Sequence, residues 1–521
     1  MTDIRTLIRL MAGGAVLAVV SAGAAVGAAS PQGPRAAVDE ADAGVEVNHR
    51  YPDGSTPLQW AVHEGDVAEV ERLLKVGADV SIANSYGATA MGLAAEVADT
   101  AILKLLLAAG AEPDAANPDD MTALLAVART GNVEAARLLV EYGANVNARE
   151  RWGGQTPLMW ATARRHSEMM ELLIAEGADV DARGTPRNYQ RHVTAEGRPK
   201  NLDSGGFTPL LYASRENCAA CVDVLLEHGA DIDLPDPDGV SPLLLAIMNA
   251  NWDLAKQLIE AGADVNQWDI FGQAPLFAMV GSYTRIDGGR GSIDPLNETK
   301  GIDIVHMLLE RGADPNMQLL FRPANVRGST STRGSTPLIR AANNGDLEMV
   351  KLLLEAGADA TVYMADRQTP IHAVLAGRGS ERAALELIRV LHEAGTDVNV
   401  IALVNHREEI RGGTALHYAA RNRQQDVIRQ LAEWGIDMNA KDQDGLTALD
   451  YTQSRGFMPF MALQTPTYDE EAALLRELGA TVEVARDPAW PVLGPPQGIW
   501  ADIFPLGESR VHEPIYQHGA D

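Results

Sequence analysis

Cysteine, aromatic residues and positive charge are all scarce in this sequence. Two of its 521 residues are cysteines, so no framework of disulfides can hold the chain together. Phe, Trp and Tyr make up 5% of the residues. The 43 lysines and arginines are outnumbered by 71 aspartates and glutamates, which gives a formal net charge of −28 at pH 7. That charge disfavours binding to nucleic acid or to anionic lipid, and it favours a partner with a basic patch.

Sequence signatures of catalysis and of metal binding are also missing. The chain has no HExxH, GxSxG or phosphate-cradling GxxxxGK motif. Its acidic turns DPDG and DQDG resemble parts of a calcium loop, but Leu234 and Ala440 stand where the first ligand is needed. The closing Glu of that loop is replaced by Leu245 and Tyr451. We therefore expect no cofactor, no metal site and no catalytic activity.

The N-terminus carries the one apolar run long enough to span a bilayer. Arg5 and Arg9 precede a stretch from Leu10 to Ala29 that ends in small residues, which is typical of a secretory signal peptide. We predict that residues 1–29 are this signal and that residues 30–47 form a linker. The protein would then be secreted, to the periplasm or the extracellular space. An uncleaved membrane anchor is the alternative.

One phrase recurs along most of the remaining chain, and its first half is Thr-Pro-Leu or a close variant. Of its ten intervals, six are 33 residues and one is 34. A Gly followed by a small residue and usually by Asp or Asn closes each unit, 21 residues after the first mark in eight of eleven units. The units begin at Thr56, Thr89, Thr122, Thr156, Thr208, Ser241, Ala274, Thr336, Thr369, Thr414 and Thr447.

The unit that begins at Thr336 shows what the phrase specifies. Thr336 can cap a helix, and Pro337 suits its first position because its missing N–H would have no partner there. Gly345 ends this helix, and Asp346 caps a second one that closes at Gly357. Apolar residues at helical spacing lie at Leu338, Ala341, Ala342, Leu347, Val350, Leu353 and Leu354. Helices this short cannot bury their apolar faces alone, so the units must stack.

The unit, with TPL, AA, G, LL, GAD and a DG turn, resembles the ankyrin repeat. The resemblance implies an all-α dominated solenoid of stacked helix pairs with β-hairpin fingers and a concave binding face. It covers residues 48–483 as eleven repeats, and we expect an exported, bacterial member. The histidine that the family has at the fourth position of the phrase is kept at His372 and His417 only. Unit seven begins with Ala274 instead of Thr, and unit eleven is stretched.

Four insertions interrupt the repeats, and a tail follows them. Residues 184–206, 317–335 and 400–413 replace fingers, whereas residues 282–300 separate the two helices of unit seven. The first three carry the basic residues Arg187, Arg191, Arg198, Lys200, Arg322, Arg327, Arg333, Arg407 and Arg411. They are either extended fingers that enlarge a partner surface or tolerated loop growth. The tail, 484–521, is rich in Pro and aromatics, and is either a strap on the last repeat or a docking segment.

The two cysteines, Cys218 and Cys221, raise the question of redox activity. A CxxC at a helix N-terminus can support disulfide exchange. A thioredoxin-like enzyme, however, needs the motif beside a strand–helix–strand core, and here it lies in a helical repeat. We predict a structural disulfide or an inert pair, and a thiol-redox or enzyme-accessory protein remains the alternative.

Aromatic residues mark the candidate binding surface. In ankyrin repeats the position four residues after the Thr faces the concave side, and large rings there are common hot spots. We predict a monomeric, non-catalytic scaffold that binds a protein partner along the concave groove and the finger edge. An exported effector of a host protein is a further alternative, and the rings could instead pack on neighbouring repeats. The predicted partner-binding residues are Trp60, Trp160, Tyr212, Tyr418 and Tyr451 in the groove and Tyr86, Trp152, Trp268 and Phe271 on the fingers.

Overall fold

A computed structural model of the chain describes residues 46–186, 205–287, 297–320, 333–377, 379–403, 412–443, 445–452 and 469–481. The predicted signal peptide, nearly all of the linker, the tail and the interiors of the four insertions lie outside these residues. So do all the basic insertion residues named above except Arg333.

The described residues form eleven successive pairs of short helices. The first helices are α1 (Pro57–Glu64), α3 (Ala90–Glu96), α5 (Ala123–Thr130), α7 (Pro157–Ala163), α9 (Pro209–Arg215), α11 (Pro242–Met248), α13 (Pro275–Asp287), α15 (Pro337–Asn344), α17 (Pro370–Ala376), α19 (Ala415–Arg421) and α21 (Ala448–Thr452). The second helices are α2 (Val67–Lys75), α4 (Thr100–Ala108), α6 (Val133–Glu141), α8 (Ser167–Ala175), α10 (Ala219–Glu227), α12 (Trp252–Glu260), α14 (Gly301–Glu310), α16 (Leu347–Glu355), α18 (Glu381–Glu393), α20 (Gln425–Glu433) and α22 (Asp469–Glu477). We number the pairs 1 to 11 in chain order.

The helices start and stop where the repeated phrase predicts. In pair 8 the Thr336 hydroxyl accepts a hydrogen bond from the backbone N–H of Ile339 at 3.2 Å, and Asp346 caps α16 through the N–H of Met349 at 3.0 Å. Between the two helices Gly345 adopts φ 76°, a left-handed conformation in which a Cβ is unfavourable. Although Ala274 offers no capping hydroxyl, α13 still begins at Pro275.

Stacking of neighbouring pairs creates the hydrophobic core. In pair 8, Leu338, Ala341 and Ala342 of α15 and Val350 and Leu353 of α16 are buried. Each buried Leu contributes roughly 2 kcal/mol of transfer free energy. First helices pack on first helices, and second helices on second helices. The first helices pack on one another more extensively than the second helices do, as expected if α1, α3 and the other odd-numbered helices lie on the inner side of a curved solenoid.

The fingers between pairs are tight turns joined by backbone hydrogen bonds. Most fingers donate an N–H to the one before, as Ile270 does to the Asp238 carbonyl at 2.8 Å and Thr185 to that of Gly153 at 2.7 Å. Pro118 and Pro237 lack this donor. Their arms are too short for a β ladder, and the one isolated bridge in the described part of the chain pairs Pro186 with Gly205. The all-α solenoid predicted from the repeat is confirmed, with fingers that are hydrogen-bonded turns more than β-hairpins.

The three finger insertions leave the base of the finger intact. Their ends are joined by backbone hydrogen bonds of 3.0 Å from Gly184 to Phe207, from Leu319 to Ser335 and from Ala402 to Gly413. The end of the fourth insertion packs on pair 6, where the side-chain oxygen of Asn297 accepts from the backbone N–H of Trp252 at 3.0 Å. In the residues that the structure describes, no helix is both long enough and apolar enough to cross a membrane.

A ladder of side chains fixes the register between pairs at the turn after each second helix. The Oδ1 of Asn147 accepts from the backbone N–H of Asp179 at 2.9 Å. The Nδ2 of Asn147 donates to the carbonyl of Gly177, two residues before Asp179, at 3.0 Å. Asn266 makes the same two bonds to the next pair. Asp181 and Asp233 occupy this position too, but a carboxylate only accepts. Burial raises the pKa of both carboxyls, so their charged forms are disfavoured there.

Replacing Asp181 and Asp233 by Asn should therefore stabilise the array at pH 7. Each amide regains the missing donor to a glycine carbonyl, a gain on the order of 0.5–1 kcal/mol per site. Urea unfolding followed by circular dichroism measures the change. The gain should shrink as the pH falls and the aspartates of the parent chain become protonated.

Asp359→Asn is a control with the opposite sign, at an aspartate two residues before the ladder position of its unit. The Asp359 carboxylate accepts from the hydroxyl and the N–H of Thr361, and these bonds lower its pKa. Removing that charge should destabilise the array. Equal effects of Asn at all three positions would contradict this interpretation of the ladder.

Candidate protein-binding surface

The five rings predicted for the groove fall into two groups. Trp60 and Trp160 are half-buried on the inner helices α1 and α7, so part of each ring faces solvent. Tyr212, Tyr418 and Tyr451 are only 8%, 3% and 7% exposed. For these three tyrosines the structure favours the alternative interpretation, in which the ring packs between neighbouring pairs, and we revise the prediction accordingly.

Tyr212 belongs to a small cluster at the base of the first insertion. Its ring meets that of Phe207 edge to face at 5.5 Å, and its hydroxyl accepts from the Gln155 side chain. The guanidinium of Arg215 lies 4.8 Å from the centre of the Tyr212 ring and 5.6 Å from that of Phe207. Stacking of a cation over two rings fixes the Arg215 side chain on the inner surface.

Tyr418 and Tyr451 pack on the two histidines of the phrase. The Tyr418 ring meets His372 edge to face at 5.4 Å, and that of Tyr451 meets His417 at 5.6 Å. The Tyr451 hydroxyl also donates to Asp442 at 2.6 Å. These contacts join pairs 9, 10 and 11, and they give both tyrosines a role in packing.

His372 and His417 tie each first helix to the finger that follows. The Nε2 of His372 donates to the Gly413 carbonyl at 3.0 Å, and that of His417 donates to the Leu446 carbonyl at 3.1 Å. Each Nδ1 accepts from the capping threonine of its own helix. Both imidazoles are therefore neutral. Burial lowers the pKa of His372 to about 4 and also lowers that of His417. In pair 1, Gln59 makes the same connection to two carbonyls of the following finger.

Acidification should loosen pairs 9 to 11 first. A histidine whose folded pKa lies below its unfolded value contributes full stability above the unfolded value, and this contribution is lost as the pH falls from about 6.5 towards 4. For His372 the loss between pH 7 and pH 5 is about 2 kcal/mol. Hydrogen exchange of the amides in α17 and α19 at the two pH values measures it.

The matched variants for this test are His372→Gln and His306→Gln. Glutamine at position 372 keeps a donor for the Gly413 carbonyl, as Gln59 does in pair 1, and should remove most of the acid sensitivity. His306 lies exposed on α14, so its replacement should leave the sensitivity unchanged. Acid sensitivity that persists in His372→Gln would contradict the assignment.

The rings predicted for the finger edge are more accessible than those of the groove. Tyr86 is 70% exposed and Trp152 is 68% exposed, whereas Trp268 and Phe271 are half-buried. The indole N–H of Trp152 donates to Asp119 of the preceding finger at 2.9 Å. This bond orients the Trp152 ring while its faces remain in solvent.

Two exposed tyrosines and a group of arginines escaped the sequence analysis. Tyr142 ends α6, and Tyr363 precedes a finger, where the fingertip position could have revealed it. The sequence analysis also missed a group of arginines at the ends of the inner helices of pairs 3 to 5, because the net charge of the chain is dominated by acidic residues. They are Arg129, Arg164, Arg165 and Arg215.

Cys218 and Cys221 form a disulfide with an S–S distance of 1.99 Å. Cys218 is the N-cap of α10, where its sulfur accepts from the Cys221 N–H at 3.3 Å. Both residues are buried, which disfavours attack of a thiolate on the disulfide. The described residues contain no free cysteine and no group of three or more side chains that could hold a metal ion.

Replacing both cysteines by serine should leave partner binding unchanged. A serine hydroxyl at position 218 would cap α10 as aspartate does in other pairs, so we expect the stability to change by less than about 2 kcal/mol. Partner capture and thermal unfolding of the Cys218→Ser/Cys221→Ser chain test this. Loss of binding without unfolding would favour the thiol-redox alternative.

The repeat architecture agrees with comparisons to known proteins. The family profile described as ankyrin repeats (3 copies) matches residues 27–117, 91–184, 190–269, 297–402 and 338–442. The chain belongs to the ankyrin-repeat family. Ankyrin repeats form a protein-interaction module that is generally non-catalytic.

Two similar proteins match this chain over a limited part of their own length. The chain is 25% identical over 327 residues to the E3 ubiquitin-protein ligase KEG of Arabidopsis thaliana, a match that covers 58% of this chain and 18% of that protein. It is 36% identical over 130 residues to the ankyrin repeat, SAM and basic leucine zipper domain-containing protein 1 of Atelerix albiventris, which covers 25% of this chain and 23% of that protein. The chain thus spans about a fifth of the length of these two relatives.

Among solved structures, the chain resembles the ankyrin repeat domain of Bcl-3, which is described as a member of the IkappaB protein family. The sequence identity is 26%, the TM-score is 0.38, and the match covers 49% of this chain and 99% of that one.

Proposed function

We propose that this chain is an exported, bacterial scaffold of eleven ankyrin repeats that binds a protein partner along its inner surface and fingers, without catalysis of its own. The observation that carries the proposal lies in pair 4. There, Trp152 is exposed on the finger and Trp160 is half-buried on the inner helix that follows it. Rigid aromatic rings on the finger and on the inner helix of one pair are well suited to anchor a partner.

The sequence supports the proposed destination. The layout of residues 1–29 is that of an export signal, and the buried disulfide suits an oxidising compartment. An exported effector that binds a host protein would use the same surface, and differs in where it acts. The thiol-redox alternative is disfavoured because both sulfurs are buried.

Cross-linked affinity capture from the native extracytoplasmic fraction tests the proposal. The baits are the parent chain, a Trp152→Ala/Trp160→Ala variant and a Tyr142→Ala control. Tyr142 is an exposed ring at the end of the second helix α6, away from the inner surface. The parent and the control should recover the same partner, and the double variant should recover at least tenfold less.

Circular dichroism of the three baits excludes loss of structure as the cause. Equal recovery by all three baits would show that these tryptophans do not anchor a partner. If the chain itself fractionates with the cytoplasm, the proposed export is wrong.

A further inference from the structure

Charge in pairs 3 to 5 is segregated between the two sides of the stack. The second helices α6, α8 and α10 carry six exposed carboxylates and one basic residue, Arg137. The carboxylates belong to Glu134, Glu141, Glu168, Glu171, Asp223 and Glu227. The inner helices α5, α7 and α9 contain no acidic residue. Within two residues of their C-terminal ends lie Arg129, Arg164, Arg165 and Arg215. The strongly acidic total charge therefore hides a locally basic inner surface.

These arginines differ in how far their charge is compensated. Arg129 pairs with Glu96, and the Nε of Arg215 lies 2.9 Å from a carboxylate oxygen of Glu216. Arg165 donates to the backbone carbonyl of Glu216, and it makes no ion pair with a carboxylate among the described residues. Arg164 is exposed and makes no side-chain hydrogen bond or ion pair within the described chain. Four positive charges thus face two negative ones, and the excess is centred on pair 4.

Aromatic surface lies directly beside this excess charge. Trp160 precedes Arg164 by four residues, which places both on the same face at the end of α7. In the next pair, Arg215 is held over the rings of Phe207 and Tyr212. Guanidinium groups next to rings suit a ligand that alternates carboxylates with apolar groups, because both contacts can form at once.

We propose that the inner surface of pairs 3 to 5 binds an extended acidic segment of a polypeptide, with carboxylates on Arg164 and Arg165 and an apolar side chain on Trp160. This proposal rests on the protein-binding function proposed above and adds the charge of the partner. It reverses what the total charge of the chain suggests, since the basic surface is local. A long polyanion such as nucleic acid would extend beyond pairs 3 to 5 and meet the carboxylates of neighbouring pairs, whereas a short acidic segment would not.

Selection from a displayed library of random 16-residue peptides tests the proposal with the whole chain as bait. The selected peptides should be enriched at least threefold in Asp and Glu over the starting library, and their binding should weaken tenfold or more between 50 and 500 mM salt. The decisive variant is Arg164→Glu/Arg165→Asn. Asn is chosen at position 165 because it tolerates the left-handed conformation found there, φ 61°.

The control on the outer helix α6 is Arg137→Glu, which replaces an exposed arginine by glutamate as the inner variant does at position 164. It should retain the acidic preference, whereas the inner variant should lose it. Enrichment in Lys and Arg, no charge preference, no selected peptide, or a preference that survives in the inner variant would each overturn the proposal. So would a 15-residue oligothymidylate that displaces the selected peptides. Peptides that need Trp160 but show no charge preference would refute the acidic assignment alone and leave the proposed function standing.

Discussion

Burial of each helix pair by its neighbours is the constraint on which the rest of this structure depends. The described helices are five to thirteen residues long, and most pairs consist of helices of seven to nine residues, which are too short to persist in water alone. Their small residues, such as Ala341 and Ala342, let the first helices approach closely and produce the curvature. The concave surface is therefore a consequence of packing, and its chemistry is set by the few inner positions that packing leaves exposed.

The same constraint explains which parts of the fold the sequence could predict. Helix starts and ends follow from capping and left-handed residues within each unit, so they were readable locally, even at Ala274. The ladder through Asn147 and Asp181 was not, because its partners lie 32 and 50 residues away along the chain. Asn and Asp differ in stability at this position because only Asn can donate to a glycine carbonyl of the next pair, and the sequence does not show that this carbonyl is adjacent.

The candidate site was less predictable, for a physical reason that particular rings illustrate. Trp60 and Tyr418 occupy the same position of the phrase, yet Trp60 is only half-buried while Tyr418 is buried against His372. Whether a ring faces a partner or a neighbouring pair depends on the residue that the neighbour presents. Fingertip rings such as Tyr86 were easier to assign, because a tip has no neighbouring helix to cover it.

In this solenoid the local charge differs between the inner and outer sides, and the net charge of the chain does not show that difference. The formal net charge of −28 is a sum over the whole chain, whereas the potential at one surface depends on the charges within about one Debye length of it. In a stack of pairs the inner and outer sides belong to different helices, so Glu168 on α8 and Arg164 at the end of α7 can vary independently. Carboxylates on the outer side keep the chain soluble, and exposed carboxylates on the inner side would repel an acidic ligand. Arg164, exposed beside Trp160 and without an ion pair among the described residues, is the position at which that separation has its clearest functional consequence.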